Sequence, residues 1–217
     1  MPETVVFPDP THTDEHGIVC FGGNLLPETV YSAYTQGIFP WPHEDSPLAW
    51  FYPPERGVLF FDKLHLSKSF QRFLKKTNYH STVNKDFDSV IRQCANSPRP
   101  FQHSTWITEE IITAYTELHK KGVALSIEVW NENELVGGVY GVDVKGVFSG
   151  ESMFHKEDNA SKFAILSLIQ ELKTRGRTWM DIQVLSPHMK AMGAELIPRS
   201  EFLSLLRQEQ KKFEMKA

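Results

Sequence analysis

Gly146-Val147-Phe148-Ser149-Gly150-Glu151-Ser152-Met153-Phe154, Asn159-Ala160-Ser161-Lys162 and Trp179-Met180-Asp181-Ile182-Gln183 decide the fold. They read as a strand, a loop, a helix and a second strand. Val147-Phe148 is β-branched and aromatic between Gly146 and Gly150, which predicts a short strand. Asn159 is a favoured N-cap residue. Behind it Phe163, Leu166 and Ile169 follow helical steps, as do Ile165, Leu168 and Leu172, so the helix is apolar over a broad face and largely buried. Gly176 stands where a C′ glycine ends a helix, with Lys173 and Arg175 in the last turn. Trp179 to Val184 reads as a strand whose alternation puts Asp181 and Gln183 on one face and Met180 and Ile182 on the other. Aliphatic and aromatic side chains thus surround Glu151, Ser152, Asp181 and Gln183. That mix suits a pocket for an apolar group beside a reacting bond.

Working outward, Val123 to Trp130 alternates cleanly and predicts a strand. Asn131-Glu132-Asn133 turns into Leu135 to Val144, a glycine-interrupted strand. From 123 the order is strand, strand, strand, helix, strand, which predicts an α+β mixed sheet with a buried helix. Upstream, Thr108 caps a helix with Glu109 and Glu110 in its first turn, and Phe87, Val90, Ile91, Cys94 and Ala95 sit at core spacing on another. Ser97 to Gln102 reads as a loop. Downstream, a last helix is expected behind a Ser200 cap.

The N-terminal part differs in texture. Residues 1 to 16 are polar with Pro8 and Pro10, and read as an extended arm. His12 and His16 find no further metal-ligand cluster. Phe21 to Asn24 reads as a turn, and a helix opens at Pro27 and ends at Gly37. Gly37 to Pro42 and Pro47 to Pro54 hold too many prolines for regular structure. Their aromatic residues are either a rigid plug between lobes or a stacking platform for a base. Val58 to Phe61 is a strand that closes a small N-terminal α+β domain at 1–62, before a larger domain at 63–217. Lys63 to Lys76 contains no acid besides its basic residues. Its helix turns Leu66, Phe70, Phe73 and Leu74 inward and Lys68, Arg72, Lys75 and Lys76 outward. The outward face reads as a solvated surface or a phosphate-binding one.

Composition bounds these readings. The chain has 217 residues, 41% hydrophobic and 23% charged, with a net charge of -4. That is ordinary globular composition, and it argues against a protein that coats long nucleic acid. No apolar run approaches membrane-spanning length, and no secretory signal opens the chain. Cys20 and Cys94 form no metal spacing and read as reduced core thiols in a cytoplasmic protein.

Gly37-Ile38-Phe39-Pro40-Trp41, Thr105-Trp106-Ile107-Thr108, Ser126 to Trp130, Leu135 to Val142, Gly150 to Phe154, Ala160-Ser161-Lys162, and Gly193-Ala194 with Ile197-Pro198-Arg199 recur together, in this order, in a known family. Over about Gly17 to Leu206 the chain resembles bacterial leucyl/phenylalanyl-tRNA–protein transferases. The chain departs from that pattern at Leu125, Ile182, Ser104 and Asn24, positions that bear on substrate preference. The resemblance implies a C-terminal domain of the GCN5-related N-acyltransferase type. It implies that leucine or phenylalanine moves from the 3′ end of its tRNA to the α-amine of a protein beginning with Lys or Arg. The product N-terminus is a degradation signal. The expected partners are therefore Leu-tRNA or Phe-tRNA and such acceptor proteins. No cofactor, metal or membrane is involved, and the protein is expected to be a monomer.

That reaction is aminolysis of an activated ester. By resemblance Val139, Phe148, Ile165, Leu168, Leu172 and Met180 line the side-chain pocket, although alternation points Met180 away from Asp181. Trp50 and Trp106 match positions near the terminal nucleotide, Ser186 belongs to the same group, and the Lys68, Arg72, Lys75 and Lys76 face would touch acceptor-stem phosphates. An α-amine with a pKa of about 7.7–8.0 is partly neutral near pH 7, so positioning supplies much of the rate. Gln183 orients the ester carbonyl or the amine. Asp181 takes the proton through Gln183 or attracts the cationic acceptor residue. Glu151 holds the amino group of the aminoacyl moiety. Asp181 and Glu151 also suit a buried structural network. Three competing readings remain. A coenzyme A-dependent acyltransferase is disfavoured because Glu157-Asp158-Asn159 stands where a glycine-rich pyrophosphate turn belongs. The others are a peptidoglycan-type aminoacyl-tRNA transferase and a non-catalytic binder of the tRNA end.

Overall fold

Burial on two faces of one sheet sets the architecture. A computed structural model describes residues 5–42, 46–97 and 105–215. The loop expected from Ser97 to Gln102 falls largely outside the described residues, as does Ser104.

In chain order the elements are β1 (Ile18–Phe21), α1 (Pro27–Thr35), β2 (Phe39–Pro40), β3 (Ala49–Phe51), β4 (Glu55–Phe60), α2 (Lys68–Leu74), β5 (His80–Val83), α3 (Phe87–Asn96) and α4 (Glu109–Lys120). They continue as β6 (Ala124–Asn131), β7 (Glu134–Val144), β8 (Val147–His155), α5 (Ala160–Thr174), β9 (Trp179–Gln183), α6 (Pro187–Ala191), β10 (Glu195–Pro198) and α7 (Arg199–Glu214). The proline-rich stretches expected to be irregular contain β2 and β3. These join β1 in a three-stranded sheet of order β1-β3-β2. Such short strands leave each proline at an end or edge, where its missing N–H costs nothing.

The large sheet has seven strands in the order β10-β4-β9-β8-β7-β6-β5. All neighbours run antiparallel except β8 and β9. The α+β class with a mixed sheet is therefore as the sequence indicates. β4 lies on the N-terminal side of the expected boundary at 62, yet it is hydrogen-bonded within this sheet on both edges.

Alternation along β7 feeds two cores. Val139 joins Ile165, Leu168 and Leu172 of α5 on one face, and Tyr140 and Val142 join Val90, Ile91, Ile111 and Tyr115 of α3 and α4 on the other. α4 is capped as its sequence predicts, Ile111 N donating to Thr108 Oγ1 at 3.3 Å. α5 ends at Gly176 in the left-handed conformation, φ 76°. Its start differs from expectation. Asn159 occupies the N-cap position at φ 67° without a side-chain cap, because the tight turn from β8 takes the left-handed conformation there. α7 likewise begins at Arg199 behind Pro198, one residue before the expected Ser200 cap.

β8 and β9 decide where the site lies. β8 is nine residues long and continues past Gly150, beyond the short strand read from its glycines. The pair of strands is joined at one register pair only, Ser149 with Asp181, and then splays apart. Both carry a bulge at that level. Tyr140 pairs with Ser152 and Gly141 with Gly150, so Glu151 is the surplus residue of β8. Gly57 pairs with Gln183 and Val58 with Asp181, so Ile182 is the surplus residue of β9. A bulge bends its strand and re-aims side chains.

Gly141 permits the first of these. A Cβ there would lie 2.2 Å from the carbonyl oxygen of Ser149 and 2.5 Å from the Phe148 ring. Gly141→Ala is therefore expected to destabilise by about 1–3 kcal/mol, towards the upper end because backbone must move. A urea-denaturation midpoint within error of the parent's would count against this contact.

Candidate active site

The wedge between β8 and β9 opens into a pocket of about 520 Å³. Its floor is apolar: Val139 from β7, Ile165 and Leu168 from α5, and Met180 from β9, with Met153 and Met189 added. Glu151, Gln183 and Ser186 line the same space, and so do Phe39, Trp41 and Trp106. A volume of this size with an apolar wall and a few polar groups is what a small-ligand site needs. Another cleft, of about 450 Å³, lies between α7 and the β9 end of the sheet. It is lined by charged residues of both signs, Lys173, Arg177, Lys212, Asp62 and Glu209.

Several expected residues stand elsewhere. Phe148 and Leu172 are fully buried behind the pocket wall rather than on it. Asp181 and Gln183 do not share a face as strict alternation demands. The bulge at Ile182 breaks the period, so Met180, Ile182 and Gln183 all reach the pocket while Asp181 points to the other side. Gln183 takes φ 59°, which turns its amide back towards β8.

Asp181 is 1% exposed and fully engaged. Arg56 of β4, also 1% exposed, donates Nε to Oδ1 at 2.8 Å and Nη2 to Oδ2 at 2.6 Å. Ser149 Oγ donates at 2.9 Å and the Gln183 backbone N–H at 2.8 Å. The guanidinium lies 4.7 Å from the Phe39 ring centroid and 4.5 Å from that of Phe202. The expected attraction between Asp181 and an incoming cationic residue meets an obstacle: a cation of the chain already occupies that carboxylate.

Glu151 is different. Gln183 Nε2 donates to its Oε1 at 2.8 Å, Tyr34 Oη to the same oxygen at 2.7 Å, and Tyr115 Oη to Oε2 at 3.3 Å. The two tyrosine hydroxyls lie 2.7 Å apart. Burial pushes the Glu151 carboxyl up to about 7, the Asp181 charge adds to the rise, and the hydrogen bonds from Tyr34, Gln183 and Tyr115 oppose it. Burial, with the Glu151 charge, holds both tyrosines well above the usual phenol range. They are hydrogen-bond donors throughout the working pH range. Glu151 is the titratable group poised near neutrality.

The aromatic residues also sort themselves. Trp106 lines the pocket. Trp50 does not offer a stacking face, which corrects the expectation for it. It sits on the central strand of the small sheet, 0% exposed, with Nε1 donating to Gly22 O at 2.9 Å and its ring edge-on to Phe7 at 4.8 Å. Trp41 takes the place beside the pocket. Lys68, Arg72, Lys75 and Lys76 are exposed on and just after α2, and none has an acidic partner among the described residues. They lie apart from the pocket wall. Ser186 lines it and also caps α6, accepting from Met189 N at 3.2 Å.

Sequence reasoning missed Arg56, Tyr34, Tyr115 and Ser149, and it left Trp41 among the aromatic residues of the proline-rich stretch without singling it out. Arg56 carried a signal: a lone arginine leading into Gly57-Val58-Leu59-Phe60. Strand periodicity treats such a residue as an edge, not as the partner of an acid on β9.

The described residues hold no group of three metal-ligating side chains, and no described helix is long and apolar enough to cross a membrane. Comparison with known proteins adds the family. The model of the leucyl/phenylalanyl-tRNA protein transferase family matches residues 58–207, and that of its N-terminal domain matches residues 23–54. A leucyl/phenylalanyl-tRNA--protein transferase of Hydrogenovibrio crunogenus is 47% identical over 208 residues, covering 94% of this chain and 81% of its own length. One from Flavobacterium johnsoniae is 46% identical over 201 residues, covering 93% and 95%. Among solved structures, L-PGS from Bacillus licheniformis aligns with a TM-score of 0.45 at 14% identity, over 69% of this chain and 49% of its own. A ribosomal-protein-alanine N-acetyltransferase from Brucella melitensis aligns with a TM-score of 0.31 at 14% identity, over 45% and 74%. With both family models matching in register along the chain and relatives near half identity over nearly its whole length, the chain belongs to the leucyl/phenylalanyl-tRNA protein transferase family, a family of aminoacyltransferases.

Proposed function

We propose that the protein transfers leucine or phenylalanine from the 3′ end of aminoacyl-tRNA to the α-amine of proteins that begin with Lys or Arg, marking them for degradation. The observation that carries this reading is the apolar wedge of Val139, Ile165, Leu168 and Met180 beside the Glu151–Gln183 pair.

The donor's side chain fills the wedge. Its ester carbon then lies near Gln183, whose amide orients the carbonyl or the attacking amine. The terminal adenine stacks on Trp41 or Trp106, and such stacking contributes about 1–3 kcal/mol per base. Glu151 binds the ammonium group of the aminoacyl moiety and is the acid that faces a cationic acceptor. Asp181 acts through Gln183, not on substrate. The exposed basic residues Lys68, Arg72, Lys75 and Lys76 touch acceptor-stem phosphates, each contributing roughly -0.7 to -0.9 to the salt slope.

The deciding assay incubates the protein with labelled Leu-tRNA and peptides starting with Arg, Lys or Ala. Label on the Arg and Lys peptides alone is expected. Label on none would overturn the catalytic reading. The wedge itself makes a second expectation. Val139→Ile adds one methylene to its wall, and a methylene in such a pocket discriminates by about 1–3 kcal/mol. Transfer of phenylalanine should fall about tenfold relative to leucine, measured as the ratio of kcat/KM for the two charged tRNAs. An unchanged ratio would remove Val139 from the specificity wall.

A further inference from the structure

Arg56 has no place in the chemistry so far, yet it holds the centre of the site together. It comes from β4, on the opposite side of β9 from Glu151. Its guanidinium engages both oxygens of Asp181, at 2.8 and 2.6 Å. Oδ1 of that carboxylate also accepts the backbone N–H of Gln183 at 2.8 Å. Gln183 is one of the few non-glycine residues with positive φ, at 59°. Its Nε2 then reaches Glu151 at 2.8 Å. One chain of contacts thus runs from Arg56 through Asp181 and the Gln183 backbone to the amide in the pocket. Phe39, which packs 4.7 Å from the guanidinium, lines that pocket on its other side.

The geometry points to Arg56 as a positioning residue for transfer: by fixing the Asp181 carboxylate it holds the left-handed backbone of Gln183, and so aims the Gln183 amide at the reacting ester. The inference rests on the transferase reading above. A left-handed non-glycine residue persists only where its surroundings over-determine it. The surroundings here are the carboxylate oxygen on its N–H and the bulge at Ile182. A planar guanidinium fork fixes both oxygens of a carboxylate at once, whereas an ammonium is a point charge and leaves the carboxylate free to rotate. Charge alone is therefore not enough.

The test is Arg56→Lys, alone and combined with Gln183→Ala. Steady-state transfer from Leu-tRNA to an Arg-initiated peptide is measured per folded molecule, with the folded fraction fixed by urea denaturation. Arg56→Lys is expected to lower kcat at least tenfold while KM for Leu-tRNA stays within twofold. In the Gln183→Ala background the same substitution should cost less than twofold further in kcat, because the group it aims is gone. If Arg56→Lys does not fold, Arg56→Lys/Asp181→Glu takes its place with the same expected split, since it keeps a charge pair of similar total length. Unchanged kcat per folded molecule would make Arg56 a structural residue only and overturn the inference. So would an undiminished tenfold loss in the Gln183→Ala background. A wild-type protein that transfers nothing overturns the transferase reading and the inference together; an active wild type with an indifferent Arg56→Lys overturns the inference alone.

Discussion

Glu151→Gln is expected to lower transfer by at least a hundredfold and, at pH 8, to raise the melting temperature. Both effects follow from one carboxylate. In the proposed reaction the ionised form of Glu151 binds the donor's ammonium and faces a cationic acceptor, and glutamine keeps the shape while removing the charge. Loss of one charge-stabilising group of this kind costs about 10²–10³ in kcat. The stability gain follows from linkage. The usual glutamate value is 4.5, and in the folded protein burial raises Glu151 to about 7. The folded state therefore binds more protons than the unfolded state between those values. Stability falls as pH rises through that window and stays lower above it. Glutamine has no such penalty. A full shift of this size would carry about 3 kcal/mol, and the carboxyl's open face on the pocket reduces it. A rise of a few degrees at pH 8 that vanishes near pH 4.5 is the expected calorimetric pattern. A pH-independent melting difference would sink this account of the carboxyl. In the parent, transfer should climb through pH 7 with the ionisation of Glu151. In the variant only the acceptor amine's own titration should remain.

Asp181→Ala is expected to cost about 3–5 kcal/mol of stability, because it leaves the Arg56 guanidinium buried without its counter-charge. On the sequence alone, removing Asp181 would slow transfer and spare binding of the tRNA end. The buried pair changes that expectation: much of the effect appears in folding. Thermal unfolding should move down by about 10 °C for a chain of this length. The remaining folded fraction should still bind an aminoacyl-adenosine analogue, since Asp181 does not line the pocket. Asp181→Ala/Arg56→Met removes both charges and should recover most of the stability, because replacing a buried pair by apolar groups is close to neutral. It should not recover the transfer rate, as Gln183 loses the acceptor for its N–H. Equal melting temperatures for the single and double variants would show that the pair is not the source of the loss.

Much of the frame is legible in the residue pattern. The 3.6-residue spacing of Ile165, Leu168 and Leu172, the Thr108 cap and the alternation from Val123 to Trp130 each have a local physical cause, and each gives the right element. The site is less legible. A bulge adds a residue without changing composition, so alternation carried past Ile182 put Asp181 and Gln183 on one face. Arg56 and Asp181 are 125 positions apart, and Tyr34 and Tyr115 are 81 apart. No local window joins them. Which tryptophan meets the pocket depends on strand order in the small sheet. That order hides Trp50 on the middle strand and leaves Trp41 beyond the edge.

The surplus residues Glu151 and Ile182 also govern which changes of length the chain can absorb. Deleting either would let its ladder close up in regular register, and the bend that re-aims the side chains at that level into the pocket would be lost. An insertion at the Glu132–Asn133 hairpin tip shifts no pairing and costs little chain entropy. Length changes are therefore expected to be tolerated at the loop tip and not within these two strands, which paired one-residue insertions at each place, read out by urea denaturation, would check.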